Sequence, residues 1–191
     1  MPTCIGIDPG IGRMGYASVV QEGHVFRVLS FGCVETPAGM DLPSRLHIIH
    51  KRIGEQIENC SPDFMSVEKL FFGRNTTTAE HVWQARGVVL LLAAQFGLPV
   101  FEPKPSQIKL AVCGSGNAPK GQMQKMVQRV TNLSELPRPD DAADAIAAAI
   151  TGFSLFAMER RIPRDGAEIR RERWQEVRRS CSGFSGERSS R

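Results

Sequence analysis

The sequence predicts an α/β fold: a five-stranded mixed sheet flanked by helices. Three observations carry this. Three apolar strand-like runs follow one another in the first 34 residues with no helix between them, as in an antiparallel meander. From residue 42 onward, helical periodicity alternates with short apolar strands, the signature of helices layered on a sheet. Finally, Asp8 closes the first strand and Glu68 the fourth. If those strands run parallel side by side, both acids reach the edge where α/β sheets carry their sites.

Each element has a local reason. Thr3 to Ile7 is a β-branched apolar run ending at Asp8, and Pro9-Gly10 with Gly12 marks a turn. Tyr16 to Val20 reads as the second strand, Gln21-Glu22-Gly23 as a hairpin turn and Val25 to Val34 as the third strand. From about Leu42 to Cys60, Leu46, Ile49, Ile53 and Ile57 recur at helical spacing until Pro62-Asp63 breaks the pattern. Phe64 to Leu70 is a fourth strand. Asn75 to Thr78 offers caps for a long helix to about Phe96. Gly87 inside that helix costs about 1 kcal/mol relative to alanine, so it marks a close approach, such as that of a partner subunit. Leu98 to Phe101 is a short fifth strand. Ser106 is placed to cap a short helix to Cys113, residues 119–131 form an amphipathic helix, and an alanine-rich helix runs from Asp140 to about Met158.

The totals narrow the class. With 191 residues, 41% apolar and 23% charged, one domain with a real core is expected over 1–158, followed by an arginine-rich, partly disordered tail over 159–191. The tail holds ten arginines against six acids, whereas the body has fourteen basic and fourteen acidic residues, so the net charge of +4 belongs to the tail. A nucleic-acid reading must therefore rest on local basic residues rather than on the total. The longest apolar run, Val88 to Ala94, is too short for a bilayer. The start MPTCIGID has no basic segment of a secretory leader. Five scattered cysteines without a Cys-x-x-Cys pair suggest neither zinc nor a disulfide framework. A reduced, cytoplasmic protein with no membrane partner is expected.

The acids invite chemistry, and each has a plainer reading beside it. Asp8 before Pro9-Gly10 is also an ordinary turn aspartate. Glu68 also suits a strand-edge ion pair with Lys69. Asp141 and Asp144 share a helix face, yet acids in a first helical turn also complement the helix dipole, and Asp140 suits the N-cap. On a helical wheel both aspartates lie away from Ile146 and Ile150, consistent with a merely solvated face. Carboxylates gathered from two strands and a helix repel unless a cation lies among them, typically a hard one such as Mg²⁺. Phe71-Phe72 ahead of Gly73-Arg74 suits base stacking with a phosphate contact, or one ring covering the other at the edge of the core. Arg74, Lys109 and Lys120 are phosphate-contact candidates and, equally, surface charges. Gly10-x-Gly12-x-x-Gly15 matches a dinucleotide fingerprint but leads into a strand, which excludes it. His47 and His50 form an i, i+3 pair without a further ligand, and no Ser-His-Asp or Cys-His arrangement stands out.

Several separated segments together resemble the RuvC family of Holliday junction resolvases, over about residues 3–155. They are IGIDPG at 5–10, VEKLFFGRN at 67–75, QARGV at 84–88, KGQMQKMV at 120–127 and DDAADAIAAAI at 140–150. The resemblance implies a ribonuclease H-like fold, a homodimer and a four-carboxylate site, which by position is Asp8, Glu68, Asp141 and Asp144. It implies two Mg²⁺ per subunit, replaceable by Mn²⁺, and symmetric paired nicking of four-way junction DNA during recombination and repair. Phe71 matches an aromatic that stacks on a base, and Lys109 and Lys120 match basic residues near the scissile phosphate. Asp141 rather than Asp140 fits the family pattern acid-Ala-Ala-Asp. A branch-migration helicase complex of the RuvA and RuvB type is the implied partner.

Three rivals stand beside it. One is another ribonuclease H-like nuclease, acting on RNA or on replication debris. A second is a sugar-kinase-like ATPase, suggested by IGIDPG but lacking room for a second domain. The third is a junction-binding module without catalysis.

Overall fold

The computed structural model describes residues 1–70 and 76–161. The elements are β1 (Thr3–Asp8), β2 (Arg13–Glu22), β3 (Val25–Glu35), α1 (Leu42–Cys60), β4 (Phe64–Val67), α2 (Thr76–Gln95), β5 (Val100–Phe101), α3 (Pro105–Cys113), α4 (Lys120–Thr131) and α5 (Asp140–Arg161). They make one five-stranded sheet in the order β3-β2-β1-β4-β5. The first three strands are the expected antiparallel meander. β1 pairs parallel with β4, and β4 with β5. The predicted mixed sheet is therefore observed.

Strand parity decides what each face meets, because successive side chains point to opposite sides. In β1, Ile5 and Ile7 pack on one face with Ile49, Ile53 and Ile57 of α1 and Val89 and Leu92 of α2. Cys4 faces the other layer, with Ile108 of α3, Val127 of α4 and Ala145 to Ile150 of α5. Gly6 follows Cys4, and Asp8 follows Gly6, on that second face. In β4 the same alternation puts Met65 and Val67 toward α1 and α2, and Phe64 toward α5. Ser66 also faces α5, donating its hydroxyl to the Ala148 carbonyl at 2.7 Å. Both strands thus direct their last acid toward the α5 layer.

α5 lies unusually close to the sheet. A Cβ on Gly6 would fall on the Ala145 carbonyl and 2.8 Å from the Ala149 Cβ, and one on Gly15 would fall on the Asp141 carbonyl. Glycine on the strands and alanine on the helix permit this approach. By length and composition, Asp140–Arg160 would pass for a membrane span. Its apolar character is explained by the core, since Ala142, Ala143 and Ala145 to Phe153 are buried. Phe64 anchors the far end, stacked 4.4 Å from Phe156 and edge-on to Phe153 at 5.1 Å. Such pairs are worth about 0.5–1.5 kcal/mol beyond the area they bury.

Several boundaries differ from expectation. β2 begins at Arg13, before Tyr16, because the meander register carries the pairing to Arg13↔Glu35. β4 stops at Val67 rather than Leu70. Just past it, Glu68 still donates its N–H to the Ile7 carbonyl at 3.0 Å on the β1 side, and Lys69 donates to the Pro103 carbonyl at 2.9 Å on the β5 side. Ser106 does not cap α3. The helix starts at Pro105, and the Gln107 side chain accepts from the Lys104 N–H at 2.9 Å. α5 continues past 158 to Arg161. Gly87 is exposed, and among the described residues nothing beyond its own helix backbone and chain neighbours comes within 4 Å of a Cβ built there. The close approach expected at Gly87 is therefore not made among the described residues. Phe71, Arg74 and the tail beyond 161 lie outside the described residues.

Candidate active site at the carboxyl edge of the sheet

Five elements, β1, β4, α3, α4 and α5, converge where β1 and β4 end. Asp8 and Glu68 follow the paired residues Ile7 and Val67, so the parallel register sets them side by side. α5 begins over Gly15, the residue paired with Asp8 across β2, which brings Asp141 and Asp144 to the same edge. A cleft of about 230 Å³ opens there, lined by Glu68, Asp144, Lys109, Lys120, Pro105, Ile108 and Met123. The structure thus gathers Asp8, Glu68, Asp141 and Asp144 with Lys120, and sets Lys109 on the cleft wall.

The electrostatics are those of crowded acids. Burial first, then the charges of Glu68, Asp144 and Asp141, push the Asp8 carboxyl up to about 8. Burial and Asp144 push Glu68 up to about 7, against the opposing pull of Lys109 and Lys120. Asp144 is also raised, chiefly by burial. Proteins concentrate such displaced groups at working sites. The Asp141 and Asp144 side chains are only 19% and 20% exposed, so neither stands in open solvent. This removes the reading of a merely solvated helix face.

Cationic side chains hold the acids in place. Lys120 Nζ lies 2.6 Å from Asp140 Oδ2 and 3.4 Å from Asp144 Oδ2. Arg13 Nε lies 3.1 Å from Asp141 Oδ2, and Arg13 Nη2 3.8 Å from Asp140 Oδ1. The Arg13–Asp141 contact is an ion pair without hydrogen-bond alignment, because that buried oxygen has no hydrogen-bond partner. Among the described residues, no three acids, imidazoles or thiols form a ready-made cage around one point. The donor set of carboxylate oxygens, with one buried oxygen unsatisfied, nevertheless fits a hard divalent cation. His47 and His50 do not contribute; the His50 ring pairs with the Gln95 side chain at 3.1 Å.

Arg13 escaped sequence reasoning. Its only local cue is its place two residues before Gly15, on the strand face that also carries Ala17 and Val19. Asp140, for which the sequence offers a capping role, is the first residue of α5, and its side chain pairs with Lys120 and Arg13.

A mixed sheet of this order, with acids from the ends of β1 and β4 and from α5 at one edge, defines a ribonuclease H-like nuclease fold. The family model for Crossover junction endodeoxyribonuclease RuvC matches residues 4–152. The protein of that name from Chloroflexus aggregans is 51% identical over 146 residues, covering 76% of this chain and 89% of the relative. The Thermus thermophilus RuvC structure superposes with a TM-score of 0.76 at 36% identity, covering 82% of this chain and 96% of that one. The structure of T. thermophilus RuvC in complex with Holliday junction substrate gives a TM-score of 0.79 at 35% identity, covering 83% and 97%. The chain belongs to the RuvC family, a family of metal-dependent nucleases.

Proposed function

We propose that this chain resolves four-way DNA junctions by hydrolysing one phosphodiester in each of two like strands, with Asp8, Glu68, Asp141 and Asp144 as the catalytic carboxylates. The observation that carries this reading is the convergence of acids from the ends of β1 and β4 and from α5 at one edge of the sheet, where Glu68 and Asp144 line a cleft with Lys109 and Lys120. These carboxylates would hold two Mg²⁺ ions, for which Mn²⁺ can substitute. When bound, such ions supply an activated water and counter-charge for the leaving oxygen. Burial serves this chemistry, because low local polarity strengthens each carboxylate's hold on a cation. Lys120, at the mouth of the cleft, offsets charge that builds on the reacting phosphate, and Lys109 draws the strand toward the acids. Hydrolysis of this kind needs no protein nucleophile, and water fills that role.

Family membership supports the remaining assignments. Phe71 stacks on a base near the junction and Arg74 contacts a phosphate. The unit 1–158 carries the nuclease, and the arginine-rich 159–191 is an appended segment. The enzyme works in the cytoplasm as a homodimer, beside a branch-migration helicase complex of the RuvA and RuvB type. A two-fold dimer suits two symmetric nicks in a four-way junction. The exposed α2 face that carries Gly87 and Leu91 is a fitting surface for the second copy.

The test is incubation with an end-labelled synthetic four-way junction, with and without Mg²⁺ or Mn²⁺. Paired symmetric nicks are expected with metal only, and Asp8→Asn should lose cleavage while retaining junction binding. Binding without nicks under either metal would instead identify a junction-binding module. Preferential cutting of an RNA–DNA hybrid would identify a different nuclease.

A further inference from the structure

Asp140 stands between two cations. One of its oxygens accepts Lys120 at 2.6 Å and the other faces Arg13 at 3.8 Å. Its side chain is 36% exposed, about twice as open as Asp141 and Asp144, so it belongs to the rim rather than the interior of the cleft. Lys120 itself has an awkward position. It is the first residue of α4, Pro119 before it gives no side-chain cap, and the first turn has no acid. A cation at the positive end of a helix is disfavoured unless a carboxylate answers it. Asp140 opens α5, where a negative charge is favoured, and its side chain answers Lys120.

We infer that Asp140 is a positioning residue: it docks the Lys120 ammonium at the rim, leaving Asp144 available to a divalent cation. This rests on the metal-binding reading of the carboxylates proposed above. Lys120 already touches Asp144 at 3.4 Å. Without Asp140, Asp144 becomes its principal partner, and an incoming cation must displace an ammonium to reach that carboxylate. With Asp140 present, Lys120 can withdraw from Asp144 and still remain beside the cleft.

The test is a double-mutant cycle read by calorimetric titration of Mn²⁺ into the full chain without DNA, using wild type, D140N, K120A and K120A/D140N. D140N should weaken Mn²⁺ binding roughly fivefold when Lys120 is present and less than about twofold in the K120A background. D140E should restore near-normal affinity. Thermal melting of each variant separates a folding defect from a binding effect. An equal D140N effect in both backgrounds would make Asp140 a direct ligand or a distant charge and overturn the inference, as would no D140N effect at all. Failure of every protein, wild type included, to take up Mn²⁺ would instead sink the metal-binding reading, and the inference with it.

Discussion

At the scale of single residues, Asp8 and Glu68 make the site sensitive to pH. Their carboxyls titrate near 8 and 7, held up first by burial. In the unfolded chain they would release protons near ~4. Between those values the folded state binds more protons than the unfolded state, so stability must fall as pH rises. Metal-free protein should therefore show a melting temperature that declines from about pH 4 to about pH 8, with Asp8→Asn flattening the decline. Added Mn²⁺ should raise the melting temperature more at pH 8 than at pH 6, because ligand carboxyls must first lose their protons. Scanning calorimetry across that range checks both, and an Asp8→Asn profile parallel to wild type would refute the assignment. Asp8 and Glu68 were legible in the sequence because each ends an apolar strand. Arg13 was not, since its pairing with Asp140 and Asp141 depends on where α5 lands, and no local pattern encodes that.

At the scale of elements, the seat of α5 on the sheet is what brings the helix acids to the strand acids. Gly6 and Gly15 provide that seat, because a Cβ at either would meet helix backbone. Gly6→Ala should destabilise the fold by about 1–3 kcal/mol, the usual cost of overfilling a close-packed contact. It should also weaken Mn²⁺ uptake, since the displaced helix carries Asp141 and Asp144. Urea unfolding and titration measure the two effects, and wild-type stability in Gly6→Ala would mean the helix does not depend on that approach. The helix itself was readable from its alanine-rich run. Its burial nearly all round was not, because helical periodicity marks one apolar face and α5 is enclosed by the sheet, α3 and α4. The end of β4 at Val67 was missed for a related reason. Leu70 continues the apolar pattern, but paired residues end at Ile7↔Val67 beside the end of β1 and at Ser66↔Phe101 where β5 stops.

At the scale of the molecule, the proposed dimer follows from a surface left open. Leu91 is 53% exposed on α2, and the expected neighbour of Gly87 is not found among the described residues. Leu91→Arg should shift the protein toward the 21.0 kDa monomer in light scattering, because a desolvated unpaired charge is costly in an interface. The same variant should turn paired nicks on a junction into single, uncoordinated ones. A dimeric Leu91→Arg protein would move the interface elsewhere.

By itself the sequence determined the elements and the chemistry on offer. Alternating and helical periodicities are local, so the meander, the helices and the acids at their ends could be read from neighbouring residues alone. The family was equally legible, because several separated segments agreed in order. Only the tertiary structure decided which of those groups meet. The parallel register of β1 and β4 set Asp8 beside Glu68, and strand parity turned both toward α5. The glycine seat carried Asp141 and Asp144 to them, and the meeting of the α4 and α5 starts joined Lys120 to Asp140. These are contacts between residues far apart in the chain, selected by packing, and local sequence preference carries no record of them.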